Sequence, residues 1–95
     1  MKIIDTDIAD VKIVEPAVFA DDRGYFLETW NALSFTRNGL DWHFVQDNQS
    51  RSRKNVLRGL HYQVQNTQAK LVRVSAGAVF DVVVDLRRAS PTFGR

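Results

Sequence analysis

His61 is the residue of this sequence best suited to proton transfer. It stands in the mainly apolar run 56–63, Val-Leu-Arg-Gly-Leu-His-Tyr-Gln, which predicts a strand. A polar group among apolar neighbours is costly to bury unless it has a partner or a purpose. Imidazole titrates near neutral pH, as general-base catalysis requires. A lone histidine in a strand is more often structural, but the polar groups around this one favour a cavity, so we predict that His61 is a catalytic base.

Lys70 is the second candidate, and it begins a predicted strand that ends at Ser75. Alternate residues of a strand face opposite sides, so either Lys70 or Arg73 points inward unless both lie at strand ends. An inward ammonium could stabilise the oxyanion or enolate that forms when a base removes a proton beside a carbonyl. A surface lysine with its stem along apolar residues fits the pattern equally well.

The distribution of charge points to an anionic ligand. Residues 1–50 contain four Lys/Arg and nine Asp/Glu, whereas residues 51–95 contain nine Lys/Arg and two Asp. A basic second half suits a small anion such as a phosphate ester, although ordinary surface charge is the alternative for each residue. The sequence has no glycine-rich phosphate loop. Side chains would therefore hold the phosphate, and the candidates are Arg23, Arg58 and Lys70.

Composition excludes several classes of protein. The 95 residues are 44% hydrophobic, 11% aromatic and 25% charged, which indicates at most one small globular domain. Because there is no cysteine, disulfides and thiolate chemistry are excluded. Two histidines without a His-x-His pair do not predict a metal site. No apolar run reaches the roughly 18 residues of a membrane span, and the N-terminus lacks a signal-peptide core, so we expect a cytoplasmic protein without membrane association.

Hydrophobic alternation and turn residues predict short strands. Val18-Phe19-Ala20 leads into a turn at 21–24, and one helix is expected from Ala32 to Arg37, with Asn31 as its N-cap and Asn38-Gly39 as its end. The pair 70–75 and 79–87, joined through Gly77, is the clearest hairpin. The six predicted strands are 11–15, 25–30, 42–46, 56–63, 70–75 and 79–87.

Six short strands and one helix predict an all-β sandwich or barrel. The number is low for a closed jelly roll, which has about eight strands. Unpaired strand edges invite pairing with another chain. The chain is therefore expected to be a fragment, or two chains are expected to complete one another.

Four segments together resemble the dTDP-4-dehydrorhamnose 3,5-epimerase family. They follow the family's order over nearly the whole chain, and the string VLRGLHYQ is the most specific part of the match. The segments are 22–28 (DRGYFLE), 44–50 (FVQDNQS), 55–63 (NVLRGLHYQ), and 70–73 (KLVR) continuing through 81–87 (DVVVDLR) to 90–94 (SPTFG).

The resemblance implies a fold, a reaction and an assembly. The implied fold is a cupin-type jelly roll, of which residues 1–95 would be the N-terminal part of a single domain, in a homodimer with strand exchange. The implied reaction epimerises C3 and C5 of dTDP-4-dehydro-6-deoxy-D-glucose, without an organic cofactor, to give dTDP-4-dehydro-L-rhamnose in dTDP-L-rhamnose biosynthesis.

The resemblance also assigns roles to residues. His61 is expected to remove the C3 and C5 protons, and Lys70 to stabilise the enolate oxygen at C4. The expected substrate contacts are Arg23, Glu28, Gln46, Asn48 and Arg58. Family members are about twice as long, and their second half carries a general-acid tyrosine and an aspartate that pairs with the histidine. This chain alone is therefore expected to lack most of the activity, and Asp81 or Asp85 is a candidate to orient His61 instead.

Three alternatives stay open at this point. The first is a related 3-epimerase, 5-epimerase or ketoisomerase that acts on another dTDP-4-keto sugar. The second is a non-catalytic dTDP-sugar-binding fragment. The third is a nucleic-acid-binding chain, based on the basic loop Arg51, Arg53 and Lys54, but no aromatic residues are interleaved there and no motif fits, so we do not expect nucleic acid as a partner.

Overall fold

The computed structural model describes all 95 residues, and its helix and strands lie within the first 40. Two antiparallel two-stranded sheets, β1–β2 and β3–β4, precede one short helix. The architecture is therefore strand-dominated, as predicted, with fewer strands than expected. No helix combines the length and the apolar character that a bilayer crossing requires. The elements are β1 (Lys2–Asp5), β2 (Lys12–Glu15), β3 (Val18–Asp21), β4 (Gly24–Leu27) and α1 (Ala32–Arg37).

The first hairpin is closed by a side chain in its loop. The Thr6 hydroxyl lies 2.6 Å from the Val11 carbonyl oxygen and 2.9 Å from that of Ile8, which also accepts the Val11 N–H at 2.9 Å, so these contacts close the loop. Asp5 and Lys12 lie directly opposite in the register, and their side chains pair at 2.7 Å. Strand β2 confirms the predicted strand before Pro16, whereas β1 was not predicted.

The second hairpin has the tight turn that its sequence predicts. Asp21 lies opposite Gly24, and the Asp21 carboxylate accepts the backbone N–H of Arg23 at 2.9 Å, which is an Asx turn. Gly24 has φ of +135°, a conformation that L side chains rarely adopt, so glycine is required there. Strand β4 ends at Leu27, three residues before the predicted end of the strand.

Helix α1 has the predicted bounds because both of its ends are capped. The Asn31 side chain accepts the N–H of Ser34 at 3.1 Å. At the other end, Leu40 N–H donates to the Phe35 carbonyl at 2.8 Å and Gly39 N–H to the Thr36 carbonyl at 3.0 Å, with Gly39 at φ +80°. This is the Schellman pattern, which satisfies the last helical carbonyls.

The apolar core is small and lies against this helix. Phe35 is 2% exposed and Leu40 is 4% exposed, and they are the two buried apolar side chains. The Trp30 ring lies edge-on to Phe35, with centroids 6.4 Å apart, and edge-on to Phe44, at 6.1 Å. Edge-to-face geometry is favourable for aromatic pairs. The core thus joins the helix to residues on both sides of it.

The prediction of four further strands was wrong. Residues 42–46, 56–63, 70–75 and 79–87 form no ladder, although the chain bends near Gly77 as predicted. Leu57 is 93% exposed and Phe80 is 94% exposed, so no layer covers the apolar faces of these segments. The two hairpins that do form carry short-range side-chain pairs, Asp5 with Lys12 and Asp21 with Arg23, whereas no side-chain hydrogen bond joins residues 70–75 to residues 79–87. Alternation alone therefore did not produce strands here.

The chain as a whole is more open than a compact domain. It exposes 9293 Å², whereas a compact protein of this length exposes about 5,600 Å². Its radius of gyration is 15.5 Å, compared with about 12 Å for a compact domain. A large apolar surface is consequently available for further packing.

Candidate functional site

Arg23 lies in the β3–β4 turn and is held by its neighbour Asp21. The Arg23 Nε is 3.2 Å from Asp21 Oδ2, and its Nη2 is 2.6 Å from the same oxygen. The pairing lowers the pKa of Asp21, chiefly through the guanidinium, and raises the pKa of Arg23. The Arg23 side chain is otherwise exposed, and its Nη1 group points to no protein acceptor, so a cation is available there for an anionic ligand.

Glu28 follows β4 and borders an aromatic groove of about 280 Å³. Phe19, Phe26, Trp30 and Phe35 contribute rings to this groove, and Glu28 contributes a carboxylate at its edge. The groove is open and its lining also includes Pro16, Asn31 and Ser34, so it is a mixed surface and not an enclosed apolar cavity. Among the predicted site residues, Glu28 is the one that lines this groove.

Gln46, Asn48 and Arg58 make local hydrogen bonds. Gln46 Nε2 donates to Asn48 Oδ1 at 3.3 Å, so the structure brings these two predicted ligand contacts together. Arg58 Nη2 donates to the carbonyl of Arg51 at 3.1 Å. All three side chains are exposed, and their remaining donors can reach a ligand.

His61 is exposed beside Gly59. A Cβ added to Gly59 would lie 3.8 Å from the His61 Nδ1 and 3.7 Å from its backbone nitrogen. That spacing is ordinary contact, but Gly59 has φ of +107°, which a side chain would strain. The exposed imidazole lines neither the aromatic groove beside Glu28 nor the groove beside Arg87, so the predicted cavity around His61 is not formed by this chain.

Lys70 is also exposed, and the hydrogen bonds of the other candidate residues do not include it or His61. The structure thus joins Gln46 to Asn48 and leaves the remaining candidates in separate places along the chain. It contains no group of three or more His, Cys, Asp or Glu that could hold a metal ion.

Asp85 is the buried charged residue, and its partners differ from the predicted one. Its carboxylate accepts Arg87 Nε at 2.9 Å, the Ser90 hydroxyl at 2.5 Å and the Thr92 hydroxyl at 2.6 Å. Both oxygens are engaged, and His61 is not among the partners. The hypothesis that Asp85 orients His61 is therefore wrong, because nearer donors occupy its carboxylate.

These bonds place the pKa of Asp85 far below its usual range, with Arg87 as the main cause and Ser90 and Thr92 next. The pKa of Arg87 is raised, chiefly by Asp85 and then by Asp10. Sequence reasoning missed this cluster. The available signal was the spacing Asp-x-Arg-x-x-Ser-Pro-Thr, in which hydroxyl residues flank a proline turn and can return to the carboxylate.

Comparison with known proteins gives one consistent family. The model of the family described as dTDP-4-dehydrorhamnose 3,5-epimerase matches residues 5–95. A protein of that name from Neisseria gonorrhoeae is 59% identical over 95 residues, all of this chain and 29% of the relative. The Pseudomonas aeruginosa relative is 56% identical over 96 residues, and the chain covers 53% of its length. The Methanothermobacter thermautotrophicus relative is 53% identical over 93 residues, and the chain covers 50% of its length. The chain spans about half the length of most of these relatives.

Proposed function

Since this chain belongs to the dTDP-4-dehydrorhamnose 3,5-epimerase family, we propose that the protein containing it epimerises C3 and C5 of dTDP-4-dehydro-6-deoxy-D-glucose. The product is dTDP-4-dehydro-L-rhamnose, an intermediate of dTDP-L-rhamnose biosynthesis. The observation that carries the proposal is the match of a single family model over residues 5–95, because that range includes both His61 and Lys70.

The chemistry follows from the C4 ketone of the substrate. C3 and C5 both flank this carbonyl, so removal of either proton gives an enolate whose charge rests on the C4 oxygen. In our proposal His61 removes the proton, which general-base catalysis accelerates by about 10²–10⁴-fold. Lys70 stabilises the enolate oxygen with its ammonium. We assign the returning proton to the general-acid tyrosine that the family carries in its second half, and its delivery to the opposite face inverts the carbon.

The other candidates are assigned to the nucleotide and to the sugar of the substrate. Arg23 and Arg58 supply guanidinium donors, the group best matched to diphosphate oxygens. Glu28 borders the aromatic groove, where a flat base could stack on a ring. Gln46 and Asn48, already joined, supply amide donors and acceptors to the sugar.

We propose a cupin-type jelly roll for the complete fold, with residues 1–95 as part of one domain, in a strand-exchanged homodimer located in the cytoplasm. The open surface supports the fold and the assembly. The chain exposes about 3,700 Å² more than a compact protein of its length, from 9293 Å² against about 5,600 Å². Obligate interfaces bury about 2,000–5,000 Å² summed over both partners, so the surplus on this one chain is large enough to be covered by the rest of the fold, by a second chain, or by both.

The test is proton exchange in deuterated water. The substrate is incubated with the 95-residue chain, and with a chimera that continues residues 1–95 with the remaining sequence of the Pseudomonas aeruginosa relative, which is 56% identical over the shared part. The chimera should introduce deuterium at both C3 and C5, and the 95-residue chain should introduce little. A chimera that folds and binds dTDP but exchanges neither proton would refute the proposal.

Variants of the chimera assign the roles. His61→Asn should lower the exchange rate by at least about 100-fold, and Lys70→Met by about 100-fold or more. His43→Asn is the matched control, because it removes the other histidine and should leave exchange unchanged. Full activity in the His61→Asn chimera would show that another group is the base.

A second candidate is a non-catalytic dTDP-sugar-binding fragment. It is favoured by the separation of the candidates, since His61 and Lys70 share no bond with the other site residues. This candidate predicts that the 95-residue chain binds dTDP in calorimetry and that no form of the protein exchanges C3 or C5 protons. Exchange at one carbon alone would indicate a related 3- or 5-epimerase.

A further inference from the structure

We propose that Asp85 is a positioning residue that orients Arg87 so that it ties the β1–β2 loop (residues 6–11) to the turn at residues 88–94. The five residues involved, Asp10, Asp85, Arg87, Ser90 and Thr92, are called the Asp85 clasp. The clasp is independent of the proposed reaction, because none of its members is assigned to substrate.

The Arg87 guanidinium binds two carboxylates at the same time. Its Nε donates to Asp85 Oδ1 at 2.9 Å and its Nη2 contacts Asp85 Oδ2 at 3.1 Å. Its Nη1 donates to Asp10 Oδ2. Because a guanidinium is planar and rigid, two bonds to Asp85 fix the direction of the third donor.

The Asp85 side chain and backbone are themselves held in place. Its side chain is 2% exposed, and the hydroxyls of Ser90 and Thr92 reach the oxygen that Arg87 Nη2 contacts. Its backbone is fixed as well, since its N–H donates to the Arg95 carbonyl at 2.8 Å and its carbonyl accepts Gly94 N–H at 2.7 Å. The carboxylate therefore cannot turn away from Arg87 without breaking several bonds.

The contact between Arg87 and Asp10 joins two distant parts of the chain. Asp10 and Arg87 are 77 positions apart, whereas the other side-chain hydrogen bonds join residues at most seven positions apart. A shallow groove of about 410 Å³ lies between the two joined regions, and Asp7 also faces it. All predicted site residues lie inside the loop that this contact closes, so the clasp restricts the segment that must be ordered for binding.

The tie would be weak without Asp85. The Asp10 side chain is 72% exposed, and exposed ion pairs contribute little because two mobile side chains must be held and water screens them. When Asp85 holds the guanidinium in advance, part of that entropic cost is removed.

The test uses the absence of native cysteine. A single cysteine at Ala9, in the loop, carries a nitroxide label, and NMR records the paramagnetic broadening of the Ala89 and Ser90 amides across the groove. Amide exchange of Gly94 is recorded as a second readout of the turn. Exchange of the β1–β2 amides shows whether each variant is still folded.

Three changes and two controls separate positioning from charge. Arg87→Lys keeps the charge but cannot span both carboxylates, so broadening should fall while Gly94 exchange rises little. Asp10→Asn should reduce broadening and leave Gly94 unchanged. Asp85→Asn should abolish broadening and raise Gly94 exchange by about tenfold. The controls Arg88→Lys and Asp81→Asn should change neither readout.

Wild-type broadening in the Arg87→Lys or the Asp85→Asn chain would overturn the proposal. Should Asp85→Asn also lose protection in β1–β2, the Arg87→Lys chain decides, because it preserves the bonds from Ser90 and Thr92. Loss of broadening in Arg87→Lys with an intact β1–β2 hairpin supports the clasp.

Discussion

Residues 1–40 and residues 41–84 have similar apolar content in their predicted strands but differ in structure. The first region holds both hairpins, the helix and the two buried apolar side chains, Phe35 and Leu40. The second, which we call the extended segment, holds no strand or helix and exposes residues such as Leu57 and Phe80.

The two regions differ in the short-range side-chain bonds that they contain. In residues 1–40 the partners are near: Asn31 caps Ser34, Asp21 caps Arg23, and Lys12 faces Asp5 seven positions earlier. In the extended segment no side-chain hydrogen bond joins the two arms of the predicted hairpin, residues 70–75 and 79–87. The site residues Gln46, His61 and Lys70 lie in this segment without helices or strands.

The largest expected effect is the loss of stability when the buried ring in residues 1–40 is removed. Phe35→Ala should destabilise this region by about 3 kcal/mol, because a buried ring is removed and leaves a cavity. Chemical denaturation followed by circular dichroism measures the change. Leu33→Ala on the exposed face of the same helix is the control and should cost less than about 0.5 kcal/mol. Equal effects would show that the helix has no specific core.

The second prediction concerns acid and the Asp85 clasp. The bonds from Arg87, Ser90 and Thr92 lower the pKa of Asp85, so the turn keeps its full stability above the ordinary carboxyl pKa of about 3.9 and loses it as the pH falls further. The ¹³Cγ shift of Asp85 should therefore stay in its ionised position at pH 3, where an unstructured Asp peptide is mostly protonated. Asp85→Asn should remove the pH dependence of the Gly94 amide shift. Titration of Asp85 together with the peptide would contradict the buried geometry.

The third prediction concerns the N-cap. Asn31→Ala removes the acceptor of the Ser34 N–H and should cost about 1 kcal/mol of helix stability. Amide exchange at Ser34 should accelerate by about fivefold as a result, and Asn31→Asp, which keeps an acceptor, should restore protection. An unchanged rate in Asn31→Ala would show that local capping does not explain the order of residues 1–40.

The smallest expected effect is on the stability of the chain when an exposed ring of the extended segment is removed. Phe80→Ser should change the stability of the 95-residue chain by less than about 0.5 kcal/mol, because the ring is 94% exposed. The same change in the chimera should cost more than about 2 kcal/mol if a strand layer covers the ring there. Denaturation of both proteins measures this, and a small effect in both would count against the jelly-roll proposal.

Sequence reasoning succeeded where short-range chemistry decides the structure. It predicted the helix from Ala32 to Arg37 with both caps and the glycine turn at Gly24, and both are confirmed. The reversal at Gly77 in the extended segment was also predicted, since the chain bends there and Gly77 has φ of +83°. These features depend on residues a few positions apart.

Long-range features could not be predicted in the same way. Period-two alternation and Gly77 predict a hairpin of residues 70–75 and 79–87, but no ladder forms, because an isolated pair of strands is only marginally stable and alternation does not reveal what else must pack on it. The Asp10–Arg87 pair joins residues 77 positions apart, and nothing near either residue indicates the other. The roles of His61 and Lys70 stay predictions, because they come from a motif and no contact in the structure tests them.

Trp30 contacts both regions of the chain. Its indole touches Phe35 on the helix and Phe44 in the extended segment, so it stands where the two regions meet. In a Trp42→Phe chain the fluorescence of Trp30 would be the only indole signal. A shift of its emission maximum on mixing with dTDP would show that nucleotide binding packs the extended segment against residues 1–40.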